Sequence, residues 1–187
     1  PAALPKHGSP RLYTAVMKTG PDLGPGHALQ FGLSALSGRS QVYEEDTGAG
    51  GAGAAGDTQI FGTDFVYKHN GMRSHGEGDF IVQGEYFYRD QNLDDLSGRW
   101  AGLQPWAKQQ DGYYVQGLYG ILPRWRAGLR WDQVGLINDV QDPEAGDLAC
   151  DDSYRLTTVA DWRLSEFSLL RLQVGRGWYA TDDGRED

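Results

Sequence analysis

Over most of this chain apolar and polar residues alternate one by one, the period of a strand with two unlike faces. From Arg124 to Asp132 one face is Trp125, Ala127, Leu129 and Trp131, and the other is Arg124, Arg126, Gly128, Arg130 and Asp132. The same alternation predicts eight strands, at Arg11–Thr19, His27–Gly38, Thr58–His69, Asp79–Asp90, Gly112–Ile121, Arg124–Val134, Ser153–Leu164 and Phe167–Tyr179. Most of these are close to the roughly 9 to 11 residues with which a tilted strand crosses a bilayer.

Each strand carries an apolar face of the same kind: Leu29, Phe31, Leu33 and Ala35; Phe61, Phe65 and Tyr67; Phe80, Val82, Tyr86 and Tyr88; Val115, Gly117, Tyr119 and Ile121; Leu156, Ala160, Trp162 and Leu164; Leu170, Leu172, Val174 and Trp178. These central spans hold no Asp, Glu or Lys on that face. The connections alternate between short (20–26, 70–78, 122–123 and 165–166) and long (39–57, 91–111 and 135–152). Short turns at one end and long loops at the other characterise up-and-down outer-membrane barrels, in which the long loops are extracellular. The expectation is one all-β domain over 1–187, an antiparallel up-and-down transmembrane β-barrel.

Alternation alone is compatible with a soluble barrel that turns its apolar face inward to bind an apolar ligand. Aromatic placement favours the membrane. Phe61 and Tyr67, Phe80 and Tyr88, Tyr113 and Tyr119, Trp125 and Trp131, and Tyr154 and Trp162 sit toward opposite ends of their strands, with Trp178 on the last one. Six to eight residues of a strand tilted by about 40° climb roughly 15 to 20 Å, which suits two girdles at the edges of an apolar band about 25 Å tall. A soluble barrel this small would have to pack all these rings inside.

Composition adds to this reading. The chain has 27 glycines, six tryptophans and ten tyrosines at a net charge of −9, with a mean hydropathy of −0.56. Strands that show lipid only at every second residue produce that combination. No run approaches the roughly 18 apolar residues of a spanning helix. The single cysteine, Cys150, excludes an internal disulfide framework and is expected in a loop. The N-terminal Pro1–Lys6 lacks the regions of a signal peptide.

The parity that sends the rings outward sends Asp64, Lys68, Gln83, Glu85, Arg89, Gln116, Arg124, Arg126, Arg130, Asp132, Arg155, Asp161, Arg163, Arg171 and Gln173 toward a lumen. Cations outnumber carboxylates in this set. A water-filled pore lined in this way would favour anions; alternatively, Arg and Asp pair between strands and knit the wall together.

Three stretches, Gln83–Arg89, Asp111–Tyr119 and Glu166–Gln173, resemble Gram-negative outer-membrane barrels of the porin and TonB-dependent-receptor type, including zinc-regulated outer-membrane receptors. The resemblance runs from about Gly26 onward. It implies an outer-membrane location, contact with lipid and lipopolysaccharide, and transport of small solutes or metal complexes. A receptor's plug domain and energy-coupling box do not occur in these residues. With the long loops outside the cell, both chain ends would also lie outside, and the last residues are the charged Asp182–Asp187. Complete barrels keep their termini in the periplasm and finish on an aromatic residue, so the chain is expected to be a piece of a larger barrel.

Other chemistry is weaker. The acidic runs Glu44-Glu45-Asp46, Asp94-Asp95, Asp151-Asp152 and Asp182-Asp183 could hold divalent cations or simply be solvated. His69 and His75 flank a turn and are candidate zinc ligands, in line with the zinc association of the resemblance. Gly48–Gly53 spells G-x-G-x-x-G, but it precedes a strand where a dinucleotide fingerprint precedes a helix. No spacing suggests a Ser/His/Asp trio or a catalytic carboxylate pair. The chain is therefore read as a non-enzymatic transport barrel without cofactors or nucleic-acid contacts; the alternatives are a plugged structural or adhesive barrel and a soluble ligand-binding barrel.

Overall fold

The computed structural model describes residues 12–45, 50–149, 151–181 and 184–186. These residues form one antiparallel, all-β sheet, with a single 3-10 turn at Ser74–Gly76. The strands are β1 (Leu12–Thr19), β2 (His27–Glu44), β3 (Ala52–His69), β4 (Phe80–Gly98), β5 (Trp106–Leu122), β6 (Trp125–Asp142), β7 (Gly146–Ala149), β8 (Ser153–Arg163), β9 (Leu169–Thr181) and β10 (Gly184–Glu186). Each main strand pairs with its neighbour in sequence, in the order β1-β2-β3-β4-β5-β6-β8-β9-β10, and β7 folds back on β6. Within the described residues β1 pairs only with β2, so the sheet is open.

Local chemistry sets the tight turns. Pro123 and Arg124 join β5 to β6, and Arg124 has φ of 69°. Proline followed by a residue at positive φ is the type II arrangement, here with arginine where glycine is usual.

The long loops expected at 39–57, 91–111 and 135–152 are mostly strand. β2 and β3 stay paired from His27↔His69 to Glu44↔Ala52, so their connection shrinks to residues 45–51. β4 runs on to Gly98, and β6 to Asp142. The strands outlast the apolar pattern because their outer residues change character. On that face Leu29, Phe31, Leu33 and Ala35 give way to Arg39, which stands opposite Asp57; on β4, Tyr88 gives way to Asp90 and Asn92. Backbone pairing does not depend on which side chains it carries.

A bulge between Ala55 and Asp57 places an extra residue on β4. Beyond it the opposite face becomes apolar: Ala52, Ala54, Leu93 and Trp100 are buried, with Val42, Leu96 and Trp106 packed against them. This small core lies at the end of the sheet bearing the connections 45–51, 99–105 and 143–152, called the hairpin end below; the other is the turn end.

Candidate functional site

The outer face is apolar and open to its surroundings. Phe31, Leu33, Phe61, Val115, Leu129, Leu170, Leu172 and Val174 are all exposed on it. Register aligns its rings into two rows. Toward the turn end Phe80 stands opposite Tyr119, and Trp125 opposite Trp162, with their rings stacked at 5.2 Å and 7°. Toward the hairpin end Phe61 faces Tyr88, Tyr86 faces Tyr113, and Tyr154 faces Trp178. There Trp131, Tyr154 and Trp178 stack in sequence, each step 5.1 Å. Tyr67 lies on the same face, its hydroxyl 2.8 Å from His27 Nδ1. The absence of acids and lysines from the central spans of this face does not extend to arginine: Arg176 stands opposite Leu156, its guanidinium 5.3 Å over the Trp178 ring.

The inner face is ionic, and many of its charges are partnered. Asp161, the most buried carboxylate in an ion pair, takes Nε and Nη2 of Arg171 at 2.7 and 2.8 Å. Asp132 accepts Arg130 at 2.6 Å and Arg155 at 3.3 Å, while Arg130 also lies 3.9 Å over the Tyr114 ring. Asp64 pairs with Lys18, and Arg89 donates to Gln110. Glu85 stands opposite Tyr114, and Gln83 opposite Gln116; Gln173 stands opposite the buried Val159. Lys18, Tyr114 and Gln110 were missed in the sequence reading, although the parity of their strands places them on this face.

At the turn end the connection between β3 and β4 docks on β5. Gly78 N–H donates to Gly120 O, Gly120 N–H donates to Asp79 O, and Arg124 N–H donates to His75 O. A Cβ on Gly120 would lie 2.0 Å from Gly76 O, so only glycine permits this approach. Asp79 then accepts Gly71 N–H through Oδ1 and Arg126 Nη2 through Oδ2, each at 3.1 Å. Lys68, Arg126 and Arg163 line one 440 Å³ cavity here, and Arg124 and Arg163 line an adjoining one of 630 Å³. In a flat sheet β3 and β8, four strand spacings apart, would be separated by about 19 Å. Sharing a cavity shows that the sheet curls toward its polar face.

Arg124 belongs to the turn rather than to a strand, and its guanidinium donates to Leu164 O. His69 and His75 do not form a pair: His69 sits across from His27, with ring centroids 4.6 Å apart. Among the described residues no group of three or more His, Cys, Asp and Glu could hold a metal.

At the hairpin end several acids have protein partners. Arg99 reaches Glu44 at 2.6 Å and Glu144 at 2.8 Å, and Glu144 also accepts Trp100 Nε1. Burial lowers the Arg99 pKa, but the two carboxylates more than offset this and hold it above its ordinary value. Asp95 pairs with Arg39, and Asp152 accepts Gln133. Cys150, Asp46, Gly48, Ala49, Asp182 and Asp183 lie outside the described residues.

Comparison with known proteins adds one relative. The chain is 31% identical over 185 residues to an uncharacterized protein of Aquifex aeolicus (strain VF5), across 96% of this chain and 37% of that protein. The chain thus spans well under half of the relative's length. No family model and no solved structure matches.

Proposed function

We propose that this chain forms part of the wall of a bacterial outer-membrane β-barrel that passes small solutes, as a porin-like channel or as the barrel portion of a receptor. The observation that carries the reading is the reversal of face polarity within single strands. In β3 and β4 the outer face passes from apolar toward the turn end to Asp57, Asp90 and Asp95 toward the hairpin end. Their inner face runs from Lys68, Asp64, Glu85 and Arg89 to the buried Ala52, Ala54 and Leu93. β2 follows on the outer face, where Leu29, Phe31 and Leu33 give way to Arg39. A soluble sheet has no reason to switch at a common level. A sheet leaving a bilayer has one, since its surroundings change there from hydrocarbon to water.

Length agrees with this. β2 has 18 residues, and at about 3.3 Å per residue and a tilt of about 40° it would rise roughly 45 Å, well past an apolar band about 25 Å tall. The excess forms the hairpin end, which holds the soluble-type core around Leu93 and Trp100. The direction of curl also favours lipid over a soluble ligand-binding barrel, because the sheet wraps its ionic face and turns its apolar face out.

In lipid the open edge of β1, and that of β9 outside its short pairing with β10, need partner strands, since each unpaired backbone group costs several kcal/mol there. The length of the relative beyond its matched segment leaves room for them.

The test combines two measurements on the full-length protein in vesicles and planar bilayers. Brominated lipid should quench the fluorescence of Trp125, Trp131 and Trp162, and single-channel steps should follow reconstitution. Quenching without conductance would leave a membrane barrel with a structural or adhesive role. Without quenching, the membrane reading fails.

A further inference from the structure

Among the described residues most ionic side chains of the inner wall have a partner of opposite charge; Glu85 and Arg89 in mid-wall form no ion pair, Arg89 donating to the neutral Gln110, and the turn end holds the other exceptions. Arg130, Arg155 and Arg171 each reach a carboxylate. Lys68 and Arg163 do not, and neither forms an ion pair among the described residues. They come from β3 and β8, far apart in the sheet order, yet line one cavity with Arg126. Asp79 is the one carboxylate lining that cavity, and it pairs with Arg126 through one oxygen while the other accepts Gly71 N–H. The adjoining cavity adds Arg124, with Glu166 as its further acid.

Three cations without an ion-pair partner among the described residues, Lys68, Arg163 and Arg124, gather at this end of a chain whose net charge is −9. Lys68 and Arg163 line the same space and both remain exposed, so an incoming anion can meet their charge without first displacing a protein carboxylate from them. A guanidinium fork beside an ammonium suits an oxyanion: the fork binds two oxygens in plane and the ammonium acts as a point charge. A cavity of 440 Å³ lies within the range of small-ligand sites, roughly 300 to 1,000 Å³.

We propose that the turn-end mouth is an anion-binding constriction in which Lys68, Arg126 and Arg163 hold a small oxyanion such as inorganic phosphate. As a selectivity device this rests on the transport reading; as a binding site it does not. The opposite mouth is rich in acids, so the two ends of the wall carry opposite character along the axis that a solute would travel.

The test uses the full-length protein with Lys68→Gln and Arg163→Gln combined, and Arg39→Gln as a charge control on the outer face. Neither Lys68 nor Arg163 supports another side chain, so the double variant should fold like the parent, as its circular dichroism would report. Calorimetry with inorganic phosphate in detergent at low salt reads binding, and the reversal potential in a potassium chloride gradient reads selectivity. One charge acting through water on an ion roughly 8 Å away changes its occupancy about twofold, so phosphate affinity should fall about fourfold or more in the double variant. The anion preference of the channel should fall with it, and Arg39→Gln should change neither. Phosphate binding that is absent from the parent, or unchanged in the double variant, overturns the site even if channels form. Phosphate binding that weakens as expected in a protein that never conducts upholds the site and removes the transport reading.

Discussion

Arg39 on β2 and Asp95 on β4 form an ion pair, Nη2 to Oδ2 at 3.0 Å, that reaches across β3 on the outer face of the sheet. Asp57 of β3 stands in register with Arg39 between them. A few residues nearer the turn end, the same face is Ala35, Phe61 and Tyr88. Hydrocarbon would strongly disfavour such a charged group, whereas interfacial water tolerates it. In the proposed outer-membrane setting, Arg39 and Asp95 would mark the level at which the sheet leaves the apolar band.

That level can be tested by placing a charge on either side of it. Leu129→Arg, at the middle of the apolar face, should destabilise the protein in vesicles by about 2–4 kcal/mol, whereas Asp57→Arg should cost about 0–1 kcal/mol. Reversible urea unfolding from lipid measures both. Equal costs would mean that the outer face does not meet lipid.

The inner wall yields a second prediction through Asp161. Its side chain is 4% exposed and Arg171 is 40% exposed, so removing the carboxylate leaves an arginine that still reaches water. Asp161→Ala should cost about 1–3 kcal/mol, less than the loss of one partner from a fully buried pair. Arg155→Ala, on a half-exposed side chain, should cost under about 1 kcal/mol. A double-mutant cycle of Asp161 and Arg171 should show coupling, and strict additivity would remove the pair from the wall's stability.

Gly120 is the third. Its missing Cβ lets the 74–79 segment lie against β5, and Asp79 reaches Arg126 from that segment. Gly120→Ala should displace the segment and expose the amides of Gly78 and Gly120 to hydrogen exchange, while the strand amides of β8 keep their protection. Unchanged exchange at Gly78 would show that the segment is held by other contacts.

The core at the hairpin end gives the fourth. Leu93 is fully buried among Ala52, Ala54 and Trp100, so Leu93→Ala should cost about 2–5 kcal/mol. The loss should be local, appearing as faster proteolysis near residues 99–105 with tryptophan quenching by lipid unchanged. A variant as protease-resistant as the parent would argue against a packed core there.

Much of the architecture is legible in the amino-acid order, for a local reason. Strand side chains alternate strictly, so a stretch such as Trp125–Gln133 declares its two faces without reference to any partner. Neighbouring strands joined by short turns then pair in sequence order, and the two aromatic rows follow. The strand residues within Arg39–Asp57 were not legible in this way, because the outer face loses its apolar residues there while the backbone pairing continues to Glu44↔Ala52.

Which charges are free could not be read in this way. Asp161 meets Arg171, His69 meets His27 rather than His75, and Asp79 reaches Arg126 through register, a bulge and a docked turn, all of which join residues distant in sequence. Alternation by itself determined the central spans of the strands, their two faces and many of the residues of the inner wall. Only the tertiary structure decided which of those charges pair, as Asp161 does with Arg171, and which, Lys68 and Arg163 among them, do not, because pairing depends on the distance between strands and parity carries no information about distance.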